Sequence, residues 1–181
     1  MSKIAIIYKS KQGHSEQYAK WLKEAVEADL FEVSKVKAEN LLAYDLIVLG
    51  SGVYLGKIEI AGFIKANFNI LKYKKVIIFA VGAYSIKAEN LRSLEEKNFS
   101  DDMQKEIKIF QLRAGIDRKK ISLNDKFTIS CEKKKIEKKT DRTNDEIMML
   151  GIFDGLTDFT KKENLNEMVD YINKGKWKLQ K

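Results

Sequence analysis

Apolar positions in this chain gather into short unbroken runs that end in glycine or small polar residues, with stretches of helical periodicity between them. A strand buried on both faces of a parallel sheet needs apolar residues at successive positions, whereas a helix packed against that sheet needs them every three or four. The first run, residues 3–9, contains Ile4, Ala5, Ile6, Ile7 and Tyr8 with no polar alternation and predicts a central strand. After a loop at 10–14, Tyr18, Ala19, Leu22, Ala25 and Val26 recur at helical spacing, and Ser15 is placed to cap the first turn. Residues 30–33 predict a second strand, and residues 46–49 a third that stops at Gly50. Residues 59–71 then predict a helix, and residues 76–81 a fourth strand closing at Gly82 and Ala83.

The second half continues the pattern less regularly. Two helical pieces are expected between 87 and 106, separated near Phe99, with Ser100 as cap of the second, and residues 107–112 predict a fifth strand. The last helix is expected to open with a capping box, Thr160 with Glu163, and to bury Leu165, Met168, Val169 and Ile172. Residues at about 115–158 are an irregular or helical insertion before that helix. Leu123, Phe127 and Cys131 lie four apart, which favours a helix capped by Ser122, although Phe127, Ile129 and Cys131 also alternate as in a strand. The whole chain, 1–181, reads as one α/β domain.

Composition narrows the class further. With 44% hydrophobic residues the chain can bury a substantial core. A single cysteine, Cys131, excludes an internal disulfide, and no cysteine and histidine cluster offers a structural zinc site. The amino terminus has no export-signal pattern, and no apolar stretch approaches the roughly 20 residues needed to cross a bilayer; a soluble, cytoplasmic protein is the expectation. The net charge of +8 favours anionic partners. Nucleic acid, anionic lipid and acidic small molecules all satisfy that charge, and so does a plain solvated lysine surface. The run Lys133, Lys134 and Lys135 with Lys138 and Lys139 is open to the same two readings.

Three loops carry the candidate chemistry. The first, Ser10-Lys11-Gln12-Gly13-His14-Ser15, lies between a buried strand and the start of a helix, where a phosphate meets unpaired backbone N–H groups and the positive end of the helix dipole. Ser10 and Ser15 add hydroxyl donors, and Gly13 removes a side chain that would block close approach. The P-loop lysine followed by serine or threonine is missing, as is the three-glycine dinucleotide fingerprint. The aspartate that a phospho-acceptor receiver domain needs after the third strand is replaced by Gly50 and Ser51.

The second loop is Gly50-Ser51-Gly52-Val53-Tyr54-Leu55-Gly56-Lys57 and the third Val81-Gly82-Ala83-Tyr84-Ser85. Ligands of open parallel sheets bind outside the carboxyl ends of the strands, so these loops converge on the first. Tyr54 and Tyr84 are placed to cover the faces of a planar ring.

Together these motifs resemble the flavodoxin-like family, and within it the branch of quinone-dependent protoporphyrinogen dehydrogenase. Ser10-x-x-Gly13-x-Ser15 follows the first strand, and the third-strand loop has that branch's glycine, small residue, aromatic and glycine arrangement in Tyr54 and Gly56. The step Thr157-Asp158-Phe159 before the last helix also has a counterpart. The resemblance implies a three-layer sandwich with a five-stranded parallel sheet in the order 2-1-3-4-5, holding FMN. It implies that Ser10, Lys11, Gln12, Gly13, His14 and Ser15 bind the phosphate, that Ser51, Gly52, Val53, Tyr54, Leu55, Gly56 and Lys57 wrap one side of the isoalloxazine, and that Gly82, Ala83, Tyr84 and Ser85 wrap the other. Gln12 and His14 depart from the threonine and asparagine common in short-chain flavodoxins. His14 is the sole histidine and is read as a phosphate-loop residue, not a catalytic acid. The implied function is that of an FMN oxidoreductase, with a soluble electron carrier as the alternative. The expected partners are a redox protein or quinone, an anionic small-molecule substrate and, peripherally, an anionic membrane; no nucleic acid is expected.

Overall fold

The computed structural model describes residues 2–54, 56–82, 88–115, 123–154 and 158–175. Leu55, Ala83, Tyr84, Ser85, Ser122 and Thr157 lie outside the described residues, and with them the second stacking tyrosine and the expected helix cap.

Each apolar run forms a strand: β1 (Ile4–Lys9), β2 (Asp29–Glu32), β3 (Leu46–Tyr54), β5 (Lys75–Gly82) and β6 (Ile107–Arg113), with a two-residue β4 (Lys57–Ile58) in between. The sheet order is β2-β1-β3-β5-β6, and all of these pairings are parallel. This is the doubly wound order 2-1-3-4-5 expected of the five long strands. The sheet has six strands rather than five, because β4 folds back antiparallel on β3 through Val53 with Ile58 and Tyr54 with Lys57.

Alternate side chains of the central strands leave the sheet in opposite directions and build two cores. On one face, Ile6, Val48, Ile77 and Phe79 pack with Tyr18 and Leu22 of α1 (His14–Val26) and with Met168 and Ile172 of the last helix, at Asn166–Asn173. On the other, Ile7, Ile47, Leu49 and Ile78 pack with Ile64, Leu71 and Leu94 from helices at Ala61–Ala66, Phe68–Leu71 and Ala88–Asn98, and with Phe99 just beyond the last of these. The predicted helix at 59–71 is thus two short helices broken at Asn67. A further short helix, Asp101–Glu106, follows Ser100, whose side chain makes no capping bond; Asp101 and Asp102 instead supply negative charge at its first turn.

Two local expectations change for a physical reason. The third strand runs on through Gly50 and Ser51 to Tyr54 instead of stopping at Gly50. Gly50 has no turn to make: a Cβ placed there would come within 1.7 Å of the Phe79 ring, so its bareness makes room for the neighbouring strand's aromatic. The final helix does not begin with a Thr160–Glu163 box. A 3-10 turn at Lys162–Leu165 leads into it with no side-chain cap, and Thr160 is engaged elsewhere.

The described part of segment 115–158 is largely helical. Helices at Leu123–Glu137 and Asn144–Phe153 form a hairpin with a small core of Ile136, Met149 and Phe153, flanked by Ile129 and Leu150. Leu123 is 82% and Phe127 73% exposed; the faces that meet are those of Ile129 and Ile136. A capping box occurs here, with Glu146 N–H donating to Thr143 Oγ1 at 3.2 Å and Thr143 N–H to Glu146 Oε2 at 3.0 Å. The lysine run is partly paired: Lys133 with Asp154 at 2.6 Å, Lys135 with Glu132 at 2.7 Å, and Lys139 with Glu146. Among the described residues no helix is long and apolar enough to cross a membrane.

Gly50→Ala is expected to destabilise the fold by about 3 kcal/mol or more, because the added methyl must displace a ring held in a filled core. Urea unfolding of both proteins measures it, and a change within experimental error refutes this account of Gly50.

Candidate functional site: a cleft at the carboxyl ends of the strands

Parallel strands in staggered register deliver their carboxyl ends to one edge of the sheet, and there a cleft opens. Ser10, Lys11, Gln12, His14 and Ser15 line it after β1, Gly52, Val53 and Tyr54 from β3, and Val81 and Gly82 from β5. Three separate stretches of the predicted site therefore meet. The cleft has a volume of about 160 Å³ and is open to solvent on one side.

The phosphate-loop end is shaped by Gly13. Its φ of 99° lies in the left-handed region that side chains rarely adopt, and it occupies the cap position of α1 with no side-chain capping bond. The helix begins at His14, so Ser15 sits buried in the first turn and is not its cap. Ser10 Oγ accepts from Gly13 N–H at 3.1 Å, which folds the loop back and leaves the hydroxyl hydrogen able to donate. An uncapped helix start facing a cleft is a ready anion site.

A second observation points the same way. The His14 ring is tethered through Nδ1, 3.0 Å from Thr160 Oγ1, while Nε2 is buried and has no partner among the described residues. Asp158 organises this corner: its Oδ1 accepts from Thr160 Oγ1 at 2.6 Å, from Thr160 N–H at 2.8 Å and from Gly115 N–H at 3.0 Å, and its Oδ2 lies 4.0 Å from His14 Nδ1. Burial pushes the Asp158 carboxyl up, but the Thr160 bonds, the His14 charge and the Gly115 bond outweigh it and hold it below the ordinary aspartate value. Tyr18 anchors the same segment from α1. Its hydroxyl donates to the Arg113 carbonyl and accepts from Asn164 Nδ2 at 2.6 Å, and burial, the largest influence, raises its pKa.

The other predicted residues are placed as follows. Ser51 is fully buried and occupied within the protein, its hydroxyl donating to the Gly52 carbonyl at 3.2 Å and accepting from Ile60 N–H at 3.1 Å. Gly56, at φ 74°, makes the β3–β4 turn. The buried Asn98 clamps that turn, donating to the Gly56 and Leu94 carbonyls and accepting from Ile58 N–H, all at 2.8 Å. Lys57 is exposed on β4 and is not among the lining residues. Among the described lining residues the lysine is Lys11, which pairs with Glu59 and lies 5.9 Å from the Tyr54 ring centroid. The Tyr54 hydroxyl, like His14 Nε2, is buried without a partner among the described residues.

Sequence reasoning left out part of the wall. Glu59, Ala114 and Gly115 line the cleft, as do Thr128, Ile129 and Glu132 of the first hairpin helix and Phe153 of the second. No local signal marks them, because they reach the cleft only through tertiary packing. Asp158 was visible in the Thr157-Asp158-Phe159 step, but without a role.

The residues present fit an FMN. The uncapped start of α1 and the orphaned His14 Nε2 suit a terminal phosphate. Gly52, Tyr54, Ile129 and Phe153 give the cleft a largely apolar lining, and a Cβ at Gly52 would approach Glu59 Oε2 to 3.0 Å.

Comparison with known proteins agrees. A family model described as a flavodoxin domain matches residues 5–144, well over half the chain. The chain is similar to a protein of uncharacterised function from Methanocaldococcus jannaschii, 30% identical over 103 residues, a match covering 56% of this chain and 66% of that one, just under two thirds of the relative's length. Among solved structures it is similar to two-electron reduced Megasphaera elsdenii flavodoxin, at 18% identity and TM-score 0.46, covering 60% of this chain and 82% of that one. Oxidised flavodoxin 2 from Bacillus cereus is 21% identical with TM-score 0.42, covering 86% and 97%.

Asp158→Ala is expected to lower the unfolding free energy at neutral pH by about 1 kcal/mol, as the hydrogen bonds to Oδ1 are lost. Because the folded-state pKa is depressed, this stabilisation is present above the ordinary value of 3.8 and is lost as pH falls below it. Denaturation curves of the two proteins should therefore converge in acid; a gap that stays constant across pH contradicts the charged role.

Proposed function

The chain belongs to the flavodoxin domain family, and from that premise we propose that it is an FMN-dependent oxidoreductase similar to quinone-dependent protoporphyrinogen dehydrogenase, oxidising a flat anionic substrate and passing electrons to a quinone. The observation that carries FMN binding is the uncapped start of α1 at a cleft lined by Ser10, His14 and Ser15. The branch assignment is supported by the likeness of segments 10–15 and 50–57 to that branch.

When bound, FMN supplies a ring able to accept and return electrons, and the protein supplies position, exclusion of water and local charge. Gly13 and the first-turn amides of α1 would hold the phosphate. Tyr54 would lie against the ring, and Ile129 and Phe153, which line the cleft, would help keep water from it. Lys11, neutralised in part by Glu59, sets the charge beside Tyr54. A net charge of +8 draws carboxylate-bearing substrates and, as a peripheral partner, an anionic membrane surface. The same charge disfavours the electron-carrier alternative, since carriers of this family are usually acidic.

The purified protein is expected to show a flavin absorption band or to acquire one on adding FMN, and Tyr54→Ala should weaken FMN binding roughly tenfold, the worth of one aromatic stacking contact. A colourless protein that fails to take up FMN in a calorimeter ends the reading. Anaerobic turnover of protoporphyrinogen with menaquinone supports the enzyme; FMN bound tightly with no turnover leaves the electron carrier instead.

A further inference from the structure

The hydrogens in the His14 corner can be counted. Asp158 Oδ1 can only accept, so the Thr160 hydroxyl hydrogen points to it across 2.6 Å. Thr160 Oγ1 is then the acceptor for His14 across 3.0 Å, which fixes a hydrogen on Nδ1. In neutral imidazole the other nitrogen, Nε2, is left as a bare lone pair, and it is this buried atom that has no partner among the described residues. A phosphate oxygen beside it is also a lone pair. The two repel unless one further hydrogen lies between them, on the imidazole or on the phosphate.

We propose that phosphate binding at this site is proton-coupled through His14, so that one proton is taken up with each FMN bound above neutral pH. This rests on the FMN reading and adds to it the tautomer that the relay imposes. Asp158 Oδ2 lies 4.0 Å from Nδ1. Of the other charged groups around the cleft, Lys11 and Glu59 pair with each other, Glu132 pairs with Lys135 at 2.7 Å and Glu16 with Lys20 at 2.7 Å. Arg113 stacks 3.8 Å over the Phe159 ring, and Lys162 pairs with Glu24 at 3.3 Å.

The test is calorimetric titration of the intact protein with FMN at several pH values, each in two buffers of different ionisation enthalpy, with riboflavin as the probe lacking phosphate. A phosphate monoester loses its second proton near pH 6, so above about pH 7.5 the FMN dissociation constant should rise by close to tenfold per pH unit. The buffer comparison should show one proton absorbed, and riboflavin binding should be flat with pH. His14→Gln, which carries a non-titrating N–H donor, should bind FMN with no proton uptake at about pH 8. Thr160→Val releases the tautomer, allows neutral imidazole to donate from Nε2, and should also reduce the uptake. Wild-type FMN binding without proton uptake, or uptake that persists in His14→Gln, overturns the proposal while leaving FMN binding intact. No FMN binding at any pH overturns the reading beneath it instead.

Discussion

A helix that starts without a side-chain cap must satisfy its first amides some other way, and in this protein the solution organises the whole carboxyl edge of the sheet. Gly13 takes a left-handed conformation at the cap position of α1, offers no side chain, and leaves the helix start open to the cleft. Burial of Tyr18, Ala19 and Leu22 against the sheet fixes the helix, so the opening cannot close by sliding the helix away. What remains is a fixed positive pole aimed at a slot, the arrangement an anionic group completes.

The rest of the fold serves to hold other groups opposite that pole. Parallel pairing of β1, β3 and β5 in register brings Ser10, Gly52 to Tyr54, and Val81 with Gly82 to a common edge. Asn98 pins the β3–β4 turn through two hydrogen bonds, to Gly56 and Ile58, so that Tyr54 projects from a rigid hairpin and not from a loose loop. Beside the pole itself, Asp158 and Asn164 stitch the approach to the last helix onto Gly115, Arg113 and Tyr18, and Thr160 ties it to His14. The helical hairpin, with its own small core, closes one wall through Ile129 and Phe153. Nothing in the hairpin's core is needed to complete the sheet, which fits an element added for what enters the cleft.

Much of this was legible in the sequence. Strands buried on both faces appear as apolar runs, and the Ser10 to Ser15 loop stands out because it joins such a run to a helix. Where local pattern misled, tertiary packing had given the residue another task. Gly50 looks like a strand terminator, but it makes room for Phe79 within a continuing strand. Thr160 with Glu163 has the spacing of a capping box, yet the threonine hydroxyl serves Asp158 and His14, while a box of the same spacing forms at Thr143 and Glu146. Leu123 and Phe127 have helical spacing and do lie on a helix, but that helix turns Ile129 and Ile136 inward. Glu59, Glu132 and Phe153 reach the cleft from distant elements and carry no local sign of it.

The central claim is that the amino end of α1 receives a nucleotide phosphate. Proton–nitrogen correlation spectra of the intact protein, recorded with and without FMN, address it directly through the amides of Gly13, His14, Ser15 and Glu16. Large shifts at these amides on saturation with FMN are the predicted result. FMN that binds while they stay unmoved would contradict the account.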